Sequence, residues 1–365
     1  MGTSRVTRPK TAGKRFLAIV WLRGRGPEGM PHMARTPGRT TITDVARQAG
    51  VSLSTVSRVM NDNATVDAEL AERVRAAALA LGYTASPLAR SLVLGRTQTI
   101  AVVVPDLENP TFVGILRGLS RAAADDGYHV LIADSAEQVD EEAVLATQTR
   151  RRTDGVVLCA PRMSDAELAA LLPTLTPAVV VNRPPQHGTP VVAADYRTAF
   201  GGLIDHLHGL GHRRLAYLAG PPRSAADAER RAAVADGLER HPGLEIAIVP
   251  GGADFDSGAA AREAVTATGA TGVLAFNDLV AMGLLSTLAE ADIRVPADLS
   301  VTGCDDIPFA RYTTPPLTTA AVPTADLGAR AWAAMRAQLE GGEADAAVSL
   351  EPRLVARAST GPAAR

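Results

Sequence analysis

Apolar residues recur at two different spacings along the chain, and the spacing changes near residue 99. Between Thr41 and Gly82 the apolar positions follow a helical period in three short segments. The inward-facing positions are Val45, Ala46 and Ala49 in the first segment, Val56 and Val59 in the second, and Leu70, Val74, Ala77 and Leu81 in the third. Three short helices with a glycine-centred turn predict a helix-turn-helix unit of the kind that binds DNA.

Polar residues mark the ends of these predicted helices. Thr41 and Asp44 stand three positions apart, the spacing of a capping box at a helix N-terminus. Gly50 suits the left-handed conformation that ends many helices. Ser52 and Asp67 precede the second and third segments and carry side-chain oxygens that can accept free backbone N–H groups.

From Thr99 onward, short β-branched runs alternate with Ala-rich stretches of helix length. The predicted strands are Ile100 to Val104, His129 to Ala133, Gly155 to Cys159, Ala178 to Val181, Leu215 to Leu218, Ile246 to Val249, Gly272 to Phe276 and Leu299 to Thr302. This alternation predicts parallel sheets with right-handed crossovers, over a length that suits two doubly wound lobes. The predicted fold is a small all-α helix-turn-helix domain followed by a two-lobed α/β domain, with ligands expected at the carboxyl ends of the strands.

Composition narrows the function class only in part. The chain has 365 residues, of which 46% are hydrophobic and 21% charged, enough for a small module and a larger core. A net charge of -2 argues neither for nor against nucleic acid. Cys159 and Cys304 lie in apolar runs, so we expect reduced core thiols. No apolar stretch approaches the roughly 20 residues that cross a bilayer, so we expect no membrane partner.

The first 38 residues differ from the rest, and we expect a disordered or untranslated extension with Met30 or Met33 as the working start. The only lysines of the chain, Lys10 and Lys14, lie there. A basic start before an apolar run suggests a signal peptide, but further arginines follow that run at once, so export is not expected. N-terminal sequencing of the native protein tests the assignment.

The run from Thr41 to Asn61 closely resembles the lactose-repressor (LacI/GalR) family. The likeness continues at Leu81-Gly82-Tyr83, Ala89 to Leu92, Val104-Pro105-Asp106, Asn109-Pro110, Leu210 to Arg214, Gly303 to Asp306 and Pro316 to Thr319. It implies a DNA-binding domain over 39–86, a hinge over 87–98 and a two-lobed effector-binding and dimerisation domain over 99–361, with crossovers near 193, 322 and 348. It also implies a cytoplasmic homodimeric repressor of palindromic double-stranded operator DNA, responsive to a sugar or sugar-like metabolite.

The resemblance assigns DNA contacts to nine residues. These are Ser52, Leu53, Ser54, Thr55, Ser57, Arg58, Asn61, Arg90 and Leu92. Leu53, Ser54 and Arg58 match the positions that touch base edges, and an arginine can donate two hydrogen bonds to guanine. The short polar residues suit phosphate contacts, although Ser52 and Thr55 equally suit simple helix capping.

The hinge carries a second signal, because Leu92 matches a leucine that wedges into the minor groove in relatives. The alternative is an ordinary linker leucine covered by the core. Val93 stands where many relatives have a basic residue, which removes one phosphate contact.

The effector-binding positions implied by the resemblance are Phe112, Asn182, Arg230, Phe255, Asn277 and Asp305. A carboxylate and a guanidinium facing each other can bind adjacent hydroxyl groups. The alternatives are a loop cap for Asp305 and a solvated helix position for Arg230. Asn182 replaces a usual aspartate and Cys304 a usual aromatic, and both departures bear on ligand choice.

Two other classes of function fit parts of the pattern. A two-lobed solute receptor for transport is disfavoured by the helix-turn-helix and by the lack of a signal peptide. An enzyme would need more than His187, His206, His208 and His212, which we interpret as solvated surface because no nucleophile, phosphate-loop or metal-ligand motif accompanies them. We therefore expect no enzyme activity, no cofactor and no metal.

Overall fold

The computed structural model describes residues 40–60, 66–83 and 95–363. They form two compact units, the first ending at Gln98 and the second beginning at Thr99. None of the described helices is both long and apolar enough to cross a membrane.

The first unit is built from three helices, as the apolar spacing predicts. Helix α1 is Ile42–Ala49, α2 is Leu53–Met60 and α3 is Ala68–Ala80. Val45, Val56 and Val74 from the three helices are fully buried against one another. Each helix thus contributes one apolar face to a shared small core.

The helix ends follow the predicted capping residues. The Asp44 carboxylate accepts the backbone N–H of Thr41 at 2.9 Å and its hydroxyl at 2.7 Å. The Ser52 hydroxyl accepts Thr55 N–H at 3.1 Å, and Asp67 accepts two N–H groups in the first turn of α3. Gly50 ends α1 with a φ of 65°, a left-handed conformation that glycine adopts without steric cost.

The second unit contains two parallel sheets. In chain order, the strands of lobe 1 are β1 (Thr99–Val104), β2 (His129–Asp134), β3 (Gly155–Cys159), β4 (Ala178–Val181), β5 (Val191–Ala194) and β11 (Ala347–Leu350). Those of lobe 2 are β6 (Arg214–Ala219), β7 (Glu245–Pro250), β8 (Gly272–Ala275) and β9 (Ser300–Thr302). The spatial orders are β11-β5-β4-β3-β1-β2 and β7-β6-β8-β9, so the predicted two-lobed α/β fold is confirmed.

Helices cover the sheets and connect successive strands. They are α4 (Pro110–Asp125), α5 (Val139–Arg150), α6 (Asp165–Leu175), α7 (Tyr196–Gly209), α8 (Ala225–Arg240), α9 (Phe255–Ala260), α10 (Arg262–Ala267), α11 (Asp278–Glu290) and α12 (Thr324–Leu339), with a short 3-10 turn at Ala310–Tyr312. Alternate residues of β1 face two separate cores, Val102 with the α4 and α12 side and Val103 with the α5 and α6 side. Burial on both faces explains why β1 is apolar throughout.

The chain passes between the lobes three times, at Asp195, at 322–323 and at 351–352. Two further strands flank the last two crossings, β10 (Thr319–Ala321) and β12 (Arg353–Val355), which pair in antiparallel fashion beside lobe 2. The crossings place the carboxyl ends of the strands of both lobes on either side of one cleft.

Helices α4 and α12 pack backbone to backbone within lobe 1. A Cβ atom at Gly118 would lie 2.0 Å from the carbonyl oxygen of Ala325, and one at Gly328 would lie 2.1 Å from that of Ile115. Glycine is therefore required at both positions for this close approach. The contact fixes the helix that follows β1 against the helix that follows the second crossing.

Candidate functional site

The exposed side of α2 carries the residues predicted to contact bases. Leu53 is 49% exposed, and Ser54 and Arg58 are also exposed. The opposite side of the helix is held in the core by Val56 and Val59. The three side chains are thus available to a partner.

Two of the predicted phosphate-contact residues, Ser52 and Thr55, form a hydrogen-bonded group with Ser54 at the start of α2. The Ser52 hydroxyl lies 2.8 Å from that of Ser54 and 2.9 Å from that of Thr55. Ser57 is half-buried farther along the helix. The remaining predicted DNA contacts, Asn61, Arg90 and Leu92, lie outside the described residues, as do residues 1–38 and most of the hinge.

Arg230 is a charged side chain that is almost wholly buried. It lies on α8 and is 1% exposed, with its guanidinium 4.2 Å from the ring centre of Tyr196 and 4.4 Å from that of Phe276. Nη1 donates to the carbonyl of Ala226 at 2.9 Å, whereas Nε has no hydrogen-bond partner. An unpaired donor on a buried cation is costly unless a ligand supplies the acceptor.

Asp305 follows β9 and lies beside Arg230, with 4.0 Å between its Oδ1 and the Nη2 of the arginine. It is 7% exposed, and burial raises its pKa to about 6 although Arg230 acts in the opposite direction. Its φ of 117° is unusual for a residue with a side chain. Such backbone geometry persists where the surroundings hold it, and it is frequent at binding sites.

Cys304 fills the space between these two charged groups. The Nη2 of Arg230 donates to its Sγ at 3.3 Å, and the side chain is fully buried. Burial raises the pKa of the thiol to about 12, so it stays protonated at neutral pH. Cys159 is likewise buried, and both thiols are free, as expected for reduced core residues.

On lobe 1, the predicted effector residues Asn182 and Phe112 follow the carboxyl ends of β4 and β1. Asn182 follows β4, accepts the N–H of Ala194 at 3.0 Å and donates to the hydroxyl of Tyr196 at 3.3 Å. Because Tyr196 stacks on Arg230, Asn182 is connected to the arginine through that ring. Phe112 lies buried in the first turn of α4.

The two remaining predicted effector residues take other positions. The Asn277 side chain caps α11 by accepting Val280 N–H at 2.9 Å, and it donates to the carbonyl of Ala253 at 2.8 Å. The oxygen and the nitrogen of this side-chain amide are therefore both hydrogen-bonded to backbone atoms of lobe 2. Phe255 is 44% exposed at the start of α9. Effector contacts by these two residues stay predictions.

Several cleft residues carry no motif of their own. Tyr196, Phe276 and Arg162 come shortly after β5, β8 and β3, and Thr111 lies in the loop-to-helix turn after β1. Position after a strand is the one sequence signal that they share, since the carboxyl ends of parallel strands border the cleft. Their contacts depend on which side chains meet in three dimensions.

The expectation of a solvated surface is wrong for His212. This histidine is buried, and its ring nitrogens form hydrogen bonds with the Thr271 hydroxyl at 2.8 Å and the Gly361 carbonyl at 3.1 Å. It fastens the last described residues to the start of β6. Across the described ranges, no three His, Cys, Asp or Glu residues are grouped so that they could hold a metal ion.

Comparison with known proteins gives matches in both units. The model of bacterial regulatory proteins of the lacI family matches residues 41–86, and that of a periplasmic binding protein-like domain matches 204–360. The ribose operon repressor of Escherichia coli K12 is 33% identical over 301 residues, which are 79% of this chain and 89% of that protein.

Two solved structures are similar over nearly the same extent. The lac repressor dimer bound to operator and the anti-inducer ONPF aligns with a TM-score of 0.81 and 28% identity, over 89% of this chain and all of that one. A complex of the transcriptional regulator CelR with cellobiose aligns with a TM-score of 0.62 and 28% identity, over 88% of this chain and all of that one.

Proposed function

The chain belongs to the LacI family of bacterial transcriptional regulators, and on that premise we propose that it is a dimeric repressor whose operator affinity is set by a sugar or sugar-like ligand held between its lobes. The family consists of DNA-binding regulators rather than enzymes. Because its partner is the bacterial chromosome, the protein acts in the cytoplasm.

The observation that carries the ligand proposal is the buried pair of Arg230 and Asp305. A sugar hydroxyl group can donate a hydrogen bond to the carboxylate and accept one from the unpaired Nε–H of the arginine. Asn182 and Phe112 add an amide and an apolar wall from the opposite lobe. The similar CelR structure holds cellobiose, which supports a sugar as the class to test first.

The DNA proposal rests on the exposed side of α2. Arg58 donates hydrogen bonds to a guanine in the major groove, and Leu53 contacts a thymine methyl group. Ser54 can form a hydrogen bond with more than one base and therefore selects less strongly. Asn61, Arg90 and Leu92 complete the contact by analogy with the family, with Leu92 as the minor-groove wedge. The dimer presents two such units to a palindromic operator.

Exposed aromatic residues on lobe 2 support the dimer. Phe309 is 53% exposed and Tyr312 is 78% exposed, and they lie three residues apart at the short 3-10 turn. Large apolar groups exposed together mark contact surfaces. A second copy of the chain covers them in the proposed dimer.

The test is an operator gel shift with palindromic sites from the neighbourhood of the gene. The full chain is titrated with ribose, galactose, cellobiose and other sugars, and with nucleobases as a second class. We expect one palindrome to be bound and one sugar to change its affinity, and we expect Asp305→Asn to bind the same DNA without responding. Failure to bind any palindrome, with or without ligand, contradicts the repressor proposal.

A further inference from the structure

One hydrogen bond joins the two lobes at Asp305, the aspartate of the proposed effector site. The hydroxyl of Thr111 in lobe 1 donates to Oδ2 of Asp305 in lobe 2 at 2.8 Å. Both residues are buried, and they are 194 positions apart in the chain. A hydrogen bond to a buried carboxylate is among the stronger single contacts in a protein.

The backbone of Asp305 is tied to the second crossing between the lobes. Its N–H donates to the carbonyl of Ala320 at 2.8 Å, and its own carbonyl accepts the N–H of Val322 at 3.2 Å. The residue therefore connects the chain segment that passes between the lobes with the side chain that bridges them. A change in lobe separation must act on this bond.

A second, longer contact spans the lobes at the end of β3. Nη1 of Arg162 lies 3.4 Å from the hydroxyl of Ser224. The arginine is held in place by two hydrogen bonds to Glu137, at 2.8 and 2.9 Å, within lobe 1. The hydrogen bond of Thr111 is the shorter of the two contacts. Its acceptor is the carboxylate of Asp305, which belongs to the proposed effector site.

We propose that Thr111 is a latch that holds the lobes together in the effector-free protein, and that the effector must displace it from Asp305. The second half of the statement rests on the proposed effector site, whereas the first half does not. We base the competition on the shared acceptor, because a ligand hydroxyl group that donates to Oδ2 of Asp305 takes the place of the Thr111 hydroxyl there. The bond opposes ligand entry and favours the closed arrangement.

Cys304 provides a direct measure of latch opening. Its thiol lies next to Asp305, contacts Arg230 and is fully buried, so a reagent reaches it only when the lobes part. Cys159, the other cysteine of the chain, is buried in the sheet of lobe 1 and reports general loosening. Site-resolved mass spectrometry after N-ethylmaleimide treatment distinguishes the two thiols.

The experiment compares Thr111→Val with Thr111→Ser in the full chain at pH 8, with no sugar and no DNA. Valine keeps the shape but removes the donor, whereas serine keeps the donor. We expect Cys304 to react about tenfold faster in Thr111→Val than in the wild type, the shift that the loss of one hydrogen bond to a charged group gives. Thr111→Ser should react at the wild-type rate, and Cys159 should be unchanged in both.

Two results would overturn the latch. One is an unchanged Cys304 rate in Thr111→Val, and the other is a parallel rise at Cys159, which would indicate loosening of the whole unit. Since the assay contains no effector, either result leaves the proposed function standing. The proposed function fails separately, if Asp305→Asn still responds to the sugar that changes operator affinity.

Discussion

At the scale of single residues, we predict that the buried carboxyl group of Asp305 makes binding at the proposed effector site sensitive to pH. Its pKa is raised by burial to about 6, so the carboxylate is charged above that pH and protonated below it. Only the charged form accepts hydrogen bonds with both oxygens. Effector affinity should therefore be full at pH 7.5 and about tenfold weaker at pH 5, one unit below the pKa.

This prediction is checked by titrating the effector into the operator complex at both pH values. The operator affinity without effector, measured at each pH, removes the contribution of the DNA contacts. Asp305→Asn, which lacks the titrating carboxyl group, should give no effector response at either pH. Equal effector affinity of the wild type at pH 5 and 7.5 would contradict the role of the carboxylate.

Arg58 carries the second prediction at this scale. Arg58→Ala should reduce the preference for operator over random DNA by about 1–3 kcal/mol, because a two-hydrogen-bond contact to guanine discriminates by that amount. A competition gel shift measures it. Arg47→Ala is the matched control, since Arg47 is exposed on α1 and paired with Asp44 at 3.1 Å. Unchanged discrimination in Arg58→Ala argues against base contact.

Sequence alone singled out Arg230 and Asp305, because both stand in recognisable motifs, and the structure places them 4.0 Å apart. It could not find Thr111, whose partner lies 194 positions away. Nor could it foresee that the amide of Asn277 is used for capping. Contacts of this kind depend on how two lobes meet, and local patterns do not encode that.

At the scale of elements, the apolar runs predicted eight of the twelve described strands, and the four missed strands all adjoin the crossings between the lobes. Each of the eight predicted runs corresponds to a strand. Six of these strands are almost wholly buried and therefore apolar throughout, whereas the edge strands β2 and β7 are largely exposed or half-buried. The missed strands are β5, β10, β11 and β12, which have three or four residues each and flank the crossings. Length alone does not separate them from β4, β8 and β9, which are equally short but wholly buried, so the missed strands depend more on their pairing partners at the crossings.

The turn between α1 and α2 carries the prediction for this scale. Gly50→Ala should destabilise the turn by about 1 kcal/mol, because alanine is strained at a φ of 65°. Amide hydrogen exchange over 42–60 should then become about fivefold faster, and operator affinity should fall with it.

Gly50→Asn is the control for that change, since asparagine adopts left-handed geometry more readily than alanine. It should behave more like the wild type in both measurements. Slower or equal exchange in Gly50→Ala would show that the turn does not limit the stability of the DNA-binding unit.

At the scale of the whole molecule, the proposed dimer makes the exposed aromatic residues of lobe 2 essential for operator binding. The double change Phe309→Asp and Tyr312→Asp should give a monomer by light scattering, because two charges cannot be buried in an apolar contact without large cost. The affinity of this double variant for the operator should fall sharply, whereas its affinity for the effector should be unchanged.

Val144→Asp is the matched control, because Val144 is a comparably exposed apolar residue on lobe 1. It should remain dimeric with normal operator affinity. If the double variant remains a dimer, the dimer interface must lie on another face of the molecule.

The close approach of Gly118 and Gly328 has a consequence for protein engineering. These glycines lie in helices about two hundred positions apart in the chain. A Cβ atom placed at either glycine would lie near 2 Å from a carbonyl oxygen of the other helix. Chimeras that exchange ligand domains between relatives should tolerate a breakpoint near Gln98, because one compact unit ends there. A breakpoint between the two helices pairs α4 of one parent with α12 of another. Such a chimera should fold only when each parent has glycine at its position, so recombination libraries should take α4 and α12 from the same parent.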